Sequence, residues 1–158
     1  MGSTFKIRKA TAADAKQIHE LHTRSVRELC KGYYTPEQIT GWLKNRTPNG
    51  YIPGIERGEM FVAVERNQIV GFGHAVPAEI LAVYVAPEYI RQGVGTVLLT
   101  HGISLARLVS QGAVRVDATL NAQGFYAQAG FVETERKFVQ RNDVSLPVIV
   151  MELHDEIQ

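Results

Sequence analysis

A buried strand that runs directly into a glycine loop and an amphipathic helix is the feature that most constrains the fold of this chain. Residues Ile80–Val85 are almost continuously apolar, as expected of a central strand covered on both faces. The loop that follows contains Gly93 and Gly95. Apolar residues then recur at helical spacing as far as Leu108, which predicts a helix that begins at the glycines.

This strand, loop and helix have the properties of an anion site. Glycines let backbone N–H groups approach a phosphate closely, and a helix N-terminus adds unpaired donors and the positive end of its dipole. A dinucleotide fingerprint would need Gly or Ala where Leu98 stands, and the Gly-Lys-Ser/Thr of a P-loop is absent. On these residues alone, an ordinary turn before a helix stays an equal alternative.

The elements on either side alternate between strand and helix patterns. Thr35, with Pro36 next to it and Gln38 three positions on, predicts a helix start, and Asn67-Gln68 is a polar link suited to an antiparallel hairpin. The other predicted strands are Phe5–Arg8, Glu59–Glu65, Ile69–Val76, Ala113–Leu120, 131–139 and Leu146–Leu153, and the other predicted helices begin at Thr11 and span Ala122–Ala129. The order β-αα-βββ-α-β-α-ββ indicates an α+β fold with a central mixed sheet.

No linker or repeat divides the chain, so we expect residues 1–158 to form a single domain.

Composition excludes several classes of partner. The chain has 17 Lys and Arg against 16 Asp and Glu, a formal net charge of +1. This mixed, near-neutral balance offers no long-range field for nucleic acid or for an anionic membrane. Its single cysteine, Cys30, is interpreted as a half-buried structural thiol and fits a reducing compartment. With no apolar run near 18 residues, the sequence predicts a cytoplasmic protein.

With a second segment included, the sequence resembles the GNAT superfamily of acyl-CoA-dependent N-acetyltransferases. The family's loop has the pattern Gln/Arg-x-x-Gly-x-Gly/Ala, and here the corresponding residues are Ile90-Arg91-Gln92-Gly93-Val94-Gly95. The second segment, residues 121–131, is similar to the family's Asn-Ala-x-x-Phe-Tyr-x-x-x-Gly-Phe signature. The resemblance implies a GNAT-like fold, in which a mixed, mostly antiparallel sheet of about seven strands is flanked by about four helices.

The resemblance also implies acetyl-CoA as the co-substrate, with no metal. The backbone of the glycine loop would hold the pyrophosphate, and Asn121 would contact the pantetheine. Ile90 departs from the pattern because it lacks a polar side chain, and Arg91 is a candidate substitute. The implied cofactor-binding residues are Val83, Tyr84, Val85, Arg91, Gln92, Gly93, Val94, Gly95, Thr96, Asn121 and Tyr126.

Direct attack of an amine on the thioester is the chemistry we expect. A lysine-like amine has a pKa of about 10.4, so it must lose a proton before it attacks. Glu79, just ahead of the central strand, is the first candidate to accept that proton, and Asp117 is the second. By resemblance, Tyr126 would act as general acid toward the leaving thiolate. Backbone N–H groups at Val83 and Val85 would polarise the thioester carbonyl.

The acceptor is the least determined partner, a small-molecule or a protein amine. Tyr33, Tyr34 and Trp42 lie where family members form the acceptor pocket, and pocket and core are equal alternatives for them. His74 is a further candidate for the acceptor cleft, although cross-strand packing is favoured for it. Strands near a chain end often pair across dimers in this family, which leaves a homodimer open.

Two rival functions follow from the same residues. A non-catalytic acyl-CoA-binding sensor would bind the co-substrate without turnover, and the apolar Ile90 gives it slight support. A structural protein whose glycine loop is only a turn would not bind CoA, and the joint presence of both motifs argues against it. His19 and His22 have no second ligand pair at metal spacing, so packing explains them better than a metal.

Overall fold

The computed structural model describes residues 5–109 and 111–154, and these form one seven-stranded sheet with helices on both faces. The strands are β1 Lys6–Lys9, β2 Met60–Glu65, β3 Gln68–Val76, β4 Glu79–Val85, β5 Val114–Ala118, β6 Val132–Arg141 and β7 Val144–Leu153. The α-helices are α1 Ala15–Leu29, α2 Pro36–Leu43, α3 Ile52–Glu56, α4 Val94–Ala106 and α5 Gln123–Gln128. The predicted α+β fold is confirmed, with five α-helices in these ranges rather than about four.

The strand order is β1-β2-β3-β4-β5-β7-β6, and each neighbouring pair is antiparallel except β4 and β5. The parallel pair is short, because only Glu79 with Arg115 and Ile80 with Val116 are in register. Beyond Ile80, β4 keeps its pairing with β3 and separates from β5. The sheet therefore opens into a V between its two central strands.

A bulge in β4 lies at the point where the two strands separate. His74 pairs with Ala82 and Ala75 pairs with Ile80, so Leu81 has no partner on β3. Leu81 is 47% exposed, unlike the buried Ile80 beside it. A bulge bends and twists the strand that carries it, so Leu81 accounts for the departure of β4 from β5.

Helices cover the two faces of the sheet and form its apolar core. On one face α4 packs on β2, β3 and β4, where Leu98 and Val94 meet Phe61 and Ile80. On the other face α1 packs on β3 and β4, with Ile18 and other residues of its apolar stripe fully buried. Helix α2 lies on β7 on this second face. Within the described ranges, neither α1 nor α2 packs extensively on β5.

Local signals explain the helix starts. Thr35 accepts a hydrogen bond from the backbone N–H of Gln38, and the Gln38 side chain accepts one from the Thr35 N–H, the reciprocal capping box predicted for α2. Ahead of α1, Asp14 accepts from Thr11 and forms a two-point ion pair with Arg8 of β1. That ion pair joins the first strand to the first helix.

Two local predictions differ from the structure. The hairpin between β2 and β3 turns at Arg66 and Asn67, one residue earlier than predicted, and both have positive φ (51° and 65°), as a type I′ turn requires. Helix α3 was not predicted, because Pro53 and Gly54 interrupt the helical pattern of this short segment. No helix in the described ranges is long and apolar enough to cross a membrane.

Candidate functional site

The V between β4 and β5 forms a cleft with a cavity volume of about 580 Å³, a size typical of small-molecule sites. Its walls come from β4, the glycine loop, β5, α5 and the C-terminal half of α1. The lining residues are Ser25, Leu29, Cys30, Tyr33, Leu81, Ala82, Val83, Tyr84, Val85, Ile90, Arg91, Gly93, Gly95, Thr96, Val116, Asp117, Thr119, Asn121, Ala122, Phe125, Tyr126 and Gln128.

Backbone groups of β4 face this cleft. Past Ile80 the strand has no hydrogen-bonded neighbour on its β5 side. In a strand paired on one edge, alternate N–H and C=O groups of the other edge point away from the partner. The stretch from Leu81 to Val85 therefore offers an open strand edge that an extended, amide-containing ligand can pair with.

The glycine loop stands at one end of the cleft with its backbone strained. Arg91 and Gly93 both have left-handed conformations, with φ of 63° and 87°, and α4 begins at Val94 without a side-chain cap on its first N–H groups. A side chain at Gly93 would meet open space, because nothing lies within 4 Å of the position that a Cβ atom would take there. The N-terminus of α4 is therefore open to an anion.

Most of the predicted cofactor-binding residues lie in this cleft, and two do not. The Gln92 side chain turns away and donates to the backbone carbonyl of Glu88 (3.2 Å), and Val94 is buried under the loop in the α4 core. Ile90, where the family pattern places a polar side chain, is 40% exposed at the cleft. Arg91 lines the cleft beside it and makes no hydrogen bond or ion pair within the described ranges.

Tyr126 lines the cleft from α5. The residue is 4% exposed, and its ring packs edge-to-face against Phe125 and Phe131. Its hydroxyl makes no hydrogen bond within residues 5–109 and 111–154, although the residue lines the cleft. Burial raises the pKa of this phenol above its ordinary value. The described residues therefore leave this phenol without a hydrogen-bond partner, and burial favours its protonated form.

Cys30 is more buried than predicted and also lines the cleft. The residue is 1% exposed, and its Sγ donates to Oδ1 of Asn121 at 3.4 Å. Burial raises the pKa of the thiol to about 12, so almost none of it is thiolate at neutral pH. Sequence reasoning identified Cys30 only as a structural thiol. Its contact with Asn121 joins residues that are 91 positions apart, and a local sequence pattern does not show such a contact.

The predicted acceptor residues are dispersed by the fold. Tyr33 lines the cleft, whereas Tyr34 and Trp42 pack edge-to-face in the core between α1 and α2. The Tyr34 hydroxyl is fully used, because it donates to the carbonyl of Pro147 and accepts from the N–H of Leu120. His74 lies away from the cleft, where its Nε2 is 2.9 Å from a Glu59 oxygen beneath α3.

The two predicted proton acceptors have different surroundings. Asp117 lines the cleft, but Arg115 (3.1 Å) and Lys137 (3.4 Å) already share its carboxylate. Glu79 does not line the cleft; it lies at the first position of β4, opposite Arg115. Its carboxylate makes no hydrogen bond within the part of the chain that the structure describes.

A buried polar cluster stands behind the β4 wall. Nδ1 of His22 accepts a hydrogen bond from Arg46, whose guanidinium also donates to the Tyr51 hydroxyl at 2.6 Å. The His22 ring packs on Tyr84, with the ring centroids 4.2 Å apart. Burial, and then the Arg46 charge, hold the pKa of His22 well below its ordinary value. The imidazole is therefore neutral in the folded protein.

This cluster predicts an acid-labile fold. Unfolded His22 binds a proton below its ordinary pKa of about 6.5, and the folded residue does not, so the free energy of unfolding falls as pH drops below that value. The slope from one such histidine reaches about 1.4 kcal/mol per pH unit. We expect urea denaturation at pH 7.5, 6.0 and 5.0 to show this loss, and His22→Gln to reduce it. If His22→Gln loses as much free energy of unfolding at low pH as the parent protein, His22 is not the group responsible. His154→Gln, at an exposed position, is the control.

No group of three or more His, Cys, Asp or Glu side chains stands close enough to hold a metal among the described residues.

Sequence reasoning missed several residues that line the cleft, among them the bulge residue Leu81, Ser25 and Leu29 of α1, and Cys30 directly after that helix. Ser25 and Leu29 lie on one face of α1, as their helical spacing indicates. Which part of that face meets the opened sheet depends on long-range packing.

Comparisons with a family model and with a known protein both point to acetyltransferases. The family model described as an acetyltransferase (GNAT) domain matches residues 30–153. The Escherichia coli K12 protein "Uncharacterized N-acetyltransferase YafP" is 27% identical over 138 residues, which cover 87% of this chain and 88% of that protein.

Solved structures share the fold. A GCN5-related N-acetyltransferase from Rhodopseudomonas palustris, described as "Aminotransferase, Class-II", is 27% identical and has a TM-score of 0.89 over 96% of both chains. PaiA N-acetyltransferase from Thermoplasma acidophilum, solved in complex with coenzyme A, is 20% identical with a TM-score of 0.78 over 97% of this chain and 100% of that one.

Proposed function

The chain belongs to the GNAT family of acetyltransferases, and we propose that it binds acetyl-CoA in the cleft between β4 and β5 and transfers the acetyl group to an amine. The observation that carries this proposal is the cleft itself: the uncapped start of α4 stands at one end, an open strand edge forms one wall, and a phenol without a hydrogen-bond partner in the described ranges lies inside. We propose that a single domain provides all of these parts.

The glycine loop supplies the contacts for the pyrophosphate. Backbone N–H groups at the start of α4 point toward the position that phosphate oxygens would take. Arg91 adds a cation beside them, in the place where Ile90 cannot contribute a polar group. PaiA N-acetyltransferase, which shares the fold, was solved in complex with coenzyme A, and this supports coenzyme A as the group that the chain binds.

The β4 edge and Asn121 orient the rest of the co-substrate. The open edge from Val83 to Val85 pairs with pantetheine amides as an added strand would. A backbone N–H of this edge donates to the thioester carbonyl and stabilises the negative charge that develops there. Asn121, held by Cys30 across the cleft, contacts the pantetheine near its sulfur.

Two side chains move protons during the transfer. Glu79 takes a proton from the acceptor ammonium through a water molecule, since it lies just beyond the cleft lining and makes no competing hydrogen bond in the described ranges. Tyr126 donates its hydroxyl proton to the thiolate that leaves, and its phenolate is reprotonated by the attacking nitrogen, which loses its second proton as the amide forms. Asp117 is less suited to act as the base, because Arg115 and Lys137 already engage it.

Release of free thiol from acetyl-CoA in the presence of an amine tests this function. We expect thiol release that depends on protein, on acetyl-CoA and on a primary amine, and acetylated amine in the same amount by mass spectrometry. Saturable acetyl-CoA binding with no thiol release across a panel of small amines and peptide N-termini would favour the non-catalytic sensor instead.

Cys30 offers a test of direct transfer against a covalent acyl-enzyme. A thiol with a pKa near 12 is a poor nucleophile at pH 7.5. We therefore expect Cys30→Ala to retain kcat within about fivefold of the parent enzyme, because the residue only packs and positions Asn121. Loss of turnover in Cys30→Ala, together with an acetylated cysteine peptide from the parent enzyme, would establish a covalent route and overturn direct transfer.

A further inference from the structure

We infer that the hydroxyls of Ser25 and Tyr84 form the subsite that holds the acceptor nitrogen, each accepting one of the two N–H bonds of a neutral primary amine. This inference rests on the proposed function and adds two side chains to its mechanism. It depends on three observations, namely that both hydroxyls lack a partner, that both lie on the α1 side of the cleft, and that charge compensation there favours a neutral nitrogen.

Ser25 brings a buried hydroxyl to the cleft from α1. The residue is 2% exposed, yet it lines the cleft. Its Oγ makes no hydrogen bond in the part of the chain that the structure describes, whereas Thr100 and Ser104 of α4 each donate to the backbone carbonyl four residues earlier. A buried hydroxyl without a partner costs free energy. The Ser25 hydroxyl is therefore available to a ligand in the cleft.

Tyr84 packs its ring under α1 and directs its hydroxyl toward the cleft. The ring stacks on Phe72 with the centroids 5.6 Å apart and meets the His22 ring at 4.2 Å. The hydroxyl interacts through space with the Cys30 thiol and the Tyr126 phenol, two groups of the cleft lining, and it makes no hydrogen bond within the described ranges. Burial raises the pKa of Tyr84, so its hydroxyl is neutral and offers lone pairs to a donor.

The two hydroxyls lie on the same side of the opened sheet. His22 and Ser25 both belong to the buried face of α1 and are one helical turn apart. The helix that contacts the Tyr84 ring therefore also carries Ser25 to the cleft. Val83 and Val85 pack instead toward the core under α4, so the α1 side of β4 is the side on which both hydroxyls meet a ligand.

An amine enters the cleft from this side. Tyr33 and Leu81 line the cleft and are 55% and 47% exposed, whereas α4 covers the other face of β4. The acceptor nitrogen thus passes two exposed side chains before it reaches the buried hydroxyls.

The charges at the cleft favour a neutral nitrogen. Asp117 is the one carboxylate among the described lining residues, and Arg115 and Lys137 already engage it. Burial without a free counter-charge disfavours an ammonium ion. The nitrogen therefore occupies the subsite as a neutral amine, the form that can attack.

Two hydrogen-bond acceptors fix the direction of the attack. A neutral primary amine has two N–H donors and one lone pair. When Oγ of Ser25 and the phenolic oxygen of Tyr84 accept the two N–H bonds, the lone pair is left to face the thioester carbonyl at the β4 edge. A C–N bond forms and the C–S bond breaks, while the nitrogen loses its protons to Glu79 and Tyr126 as proposed above. Both hydroxyls leave the reaction unchanged.

Ser25→Ala and Tyr84→Phe each remove one acceptor and keep the backbone that pairs with the pantetheine. We expect each variant to lower kcat/KM for butylamine about tenfold, the size of one buried N–H left without its partner. The dissociation constant of acetyl-CoA in a calorimetric titration should change less than about threefold, because neither hydroxyl contacts the co-substrate. Ser104→Ala and Tyr89→Phe are the matched controls, since their hydroxyls are bonded outside the cleft, and both should leave kcat/KM unchanged.

N-methylbutylamine supplies a readout that a merely structural role would not change. It has one N–H, so in the parent enzyme one of the two hydroxyls faces a methyl group. We expect the parent enzyme to prefer butylamine about 20-fold in kcat/KM, and each variant to reduce this preference to about twofold, because the lost acceptor penalises only the primary amine.

Four other results would overturn the inference. Equal losses with both amines in the variants would reduce the role of the hydroxyls to packing. Unchanged kcat/KM in both variants would place the nitrogen elsewhere in the cleft. Acetylation of other amines in the panel but not of butylamine would show that the two hydroxyls do not suffice, and the proposed function would stand. Turnover of no amine, with saturable acetyl-CoA binding in the same preparation, would overturn the transfer reaction and this subsite together.

Discussion

Replacing Gly93 with Asp is expected to weaken acetyl-CoA binding about 100-fold while the fold stays intact. Gly93 has a φ of 87°, and Asp and Asn are the non-glycine residues that tolerate this region best. A Cβ atom added there meets open space, so the new side chain projects toward the phosphate position instead of into the core. A carboxylate about 4 Å from a phosphate costs up to about 4 kcal/mol at an effective dielectric constant of 20, and about 2.7 kcal/mol is enough for a 100-fold loss.

Gly93→Asn is the matched control for this substitution. Asn has the same shape and the same tolerance of left-handed φ as Asp but carries no charge. We expect Gly93→Asn to bind acetyl-CoA within about tenfold of the parent protein, and the difference between Asp and Asn to shrink at high salt. Equal dissociation constants for the two variants would show that no phosphate lies at this loop.

Replacing Tyr126 with Phe is expected to lower kcat about 100-fold, the lower end of the range for general acid–base catalysis. The substitution removes one oxygen, which makes no hydrogen bond in the described ranges, so packing against Phe125 and Phe131 is retained. Acetyl-CoA binding should change less than threefold in a calorimetric titration. An unchanged kcat with a good acceptor, under conditions where chemistry limits the rate, would remove Tyr126 from the mechanism.

The pH profile provides a second measurement on Tyr126. Because burial raises its pKa above the ordinary phenol value of about 10, the hydroxyl stays protonated throughout the neutral and mildly alkaline range. We therefore expect no fall in kcat between pH 7 and pH 9.5 from loss of this proton. A decline over that interval that disappears in Tyr126→Phe would contradict the raised pKa.

The strands and the helix starts were predictable because their signals are local. The Thr35 capping box, the continuous apolar run of β4 and the glycine pair before α4 each lie within a few residues, and each element formed within a residue or two of its predicted place. The short helix α3 was missed for the same reason, since its local residues include Pro53 and Gly54.

The shape of the site depends on register, which the sequence does not show. The cleft exists because β4 bulges at Leu81 and leaves β5 after two paired residues. The same packing takes Tyr34 and Trp42 into the core, directs His74 to Glu59 and brings Cys30 to Asn121. Aromatic and histidine residues suit a core and a pocket equally well, so residue type alone could not separate these outcomes.

Calorimetric titration of the purified protein with acetyl-CoA is the measurement that shows whether the cleft binds this co-substrate. Desulfo-CoA, which keeps the pyrophosphate and the pantetheine, and adenosine, which lacks both, serve as companion ligands. We expect one site per chain with a micromolar dissociation constant for acetyl-CoA, similar binding of desulfo-CoA and much weaker binding of adenosine. No heat of binding at millimolar acetyl-CoA, confirmed by the absence of any shift in melting temperature, would contradict it.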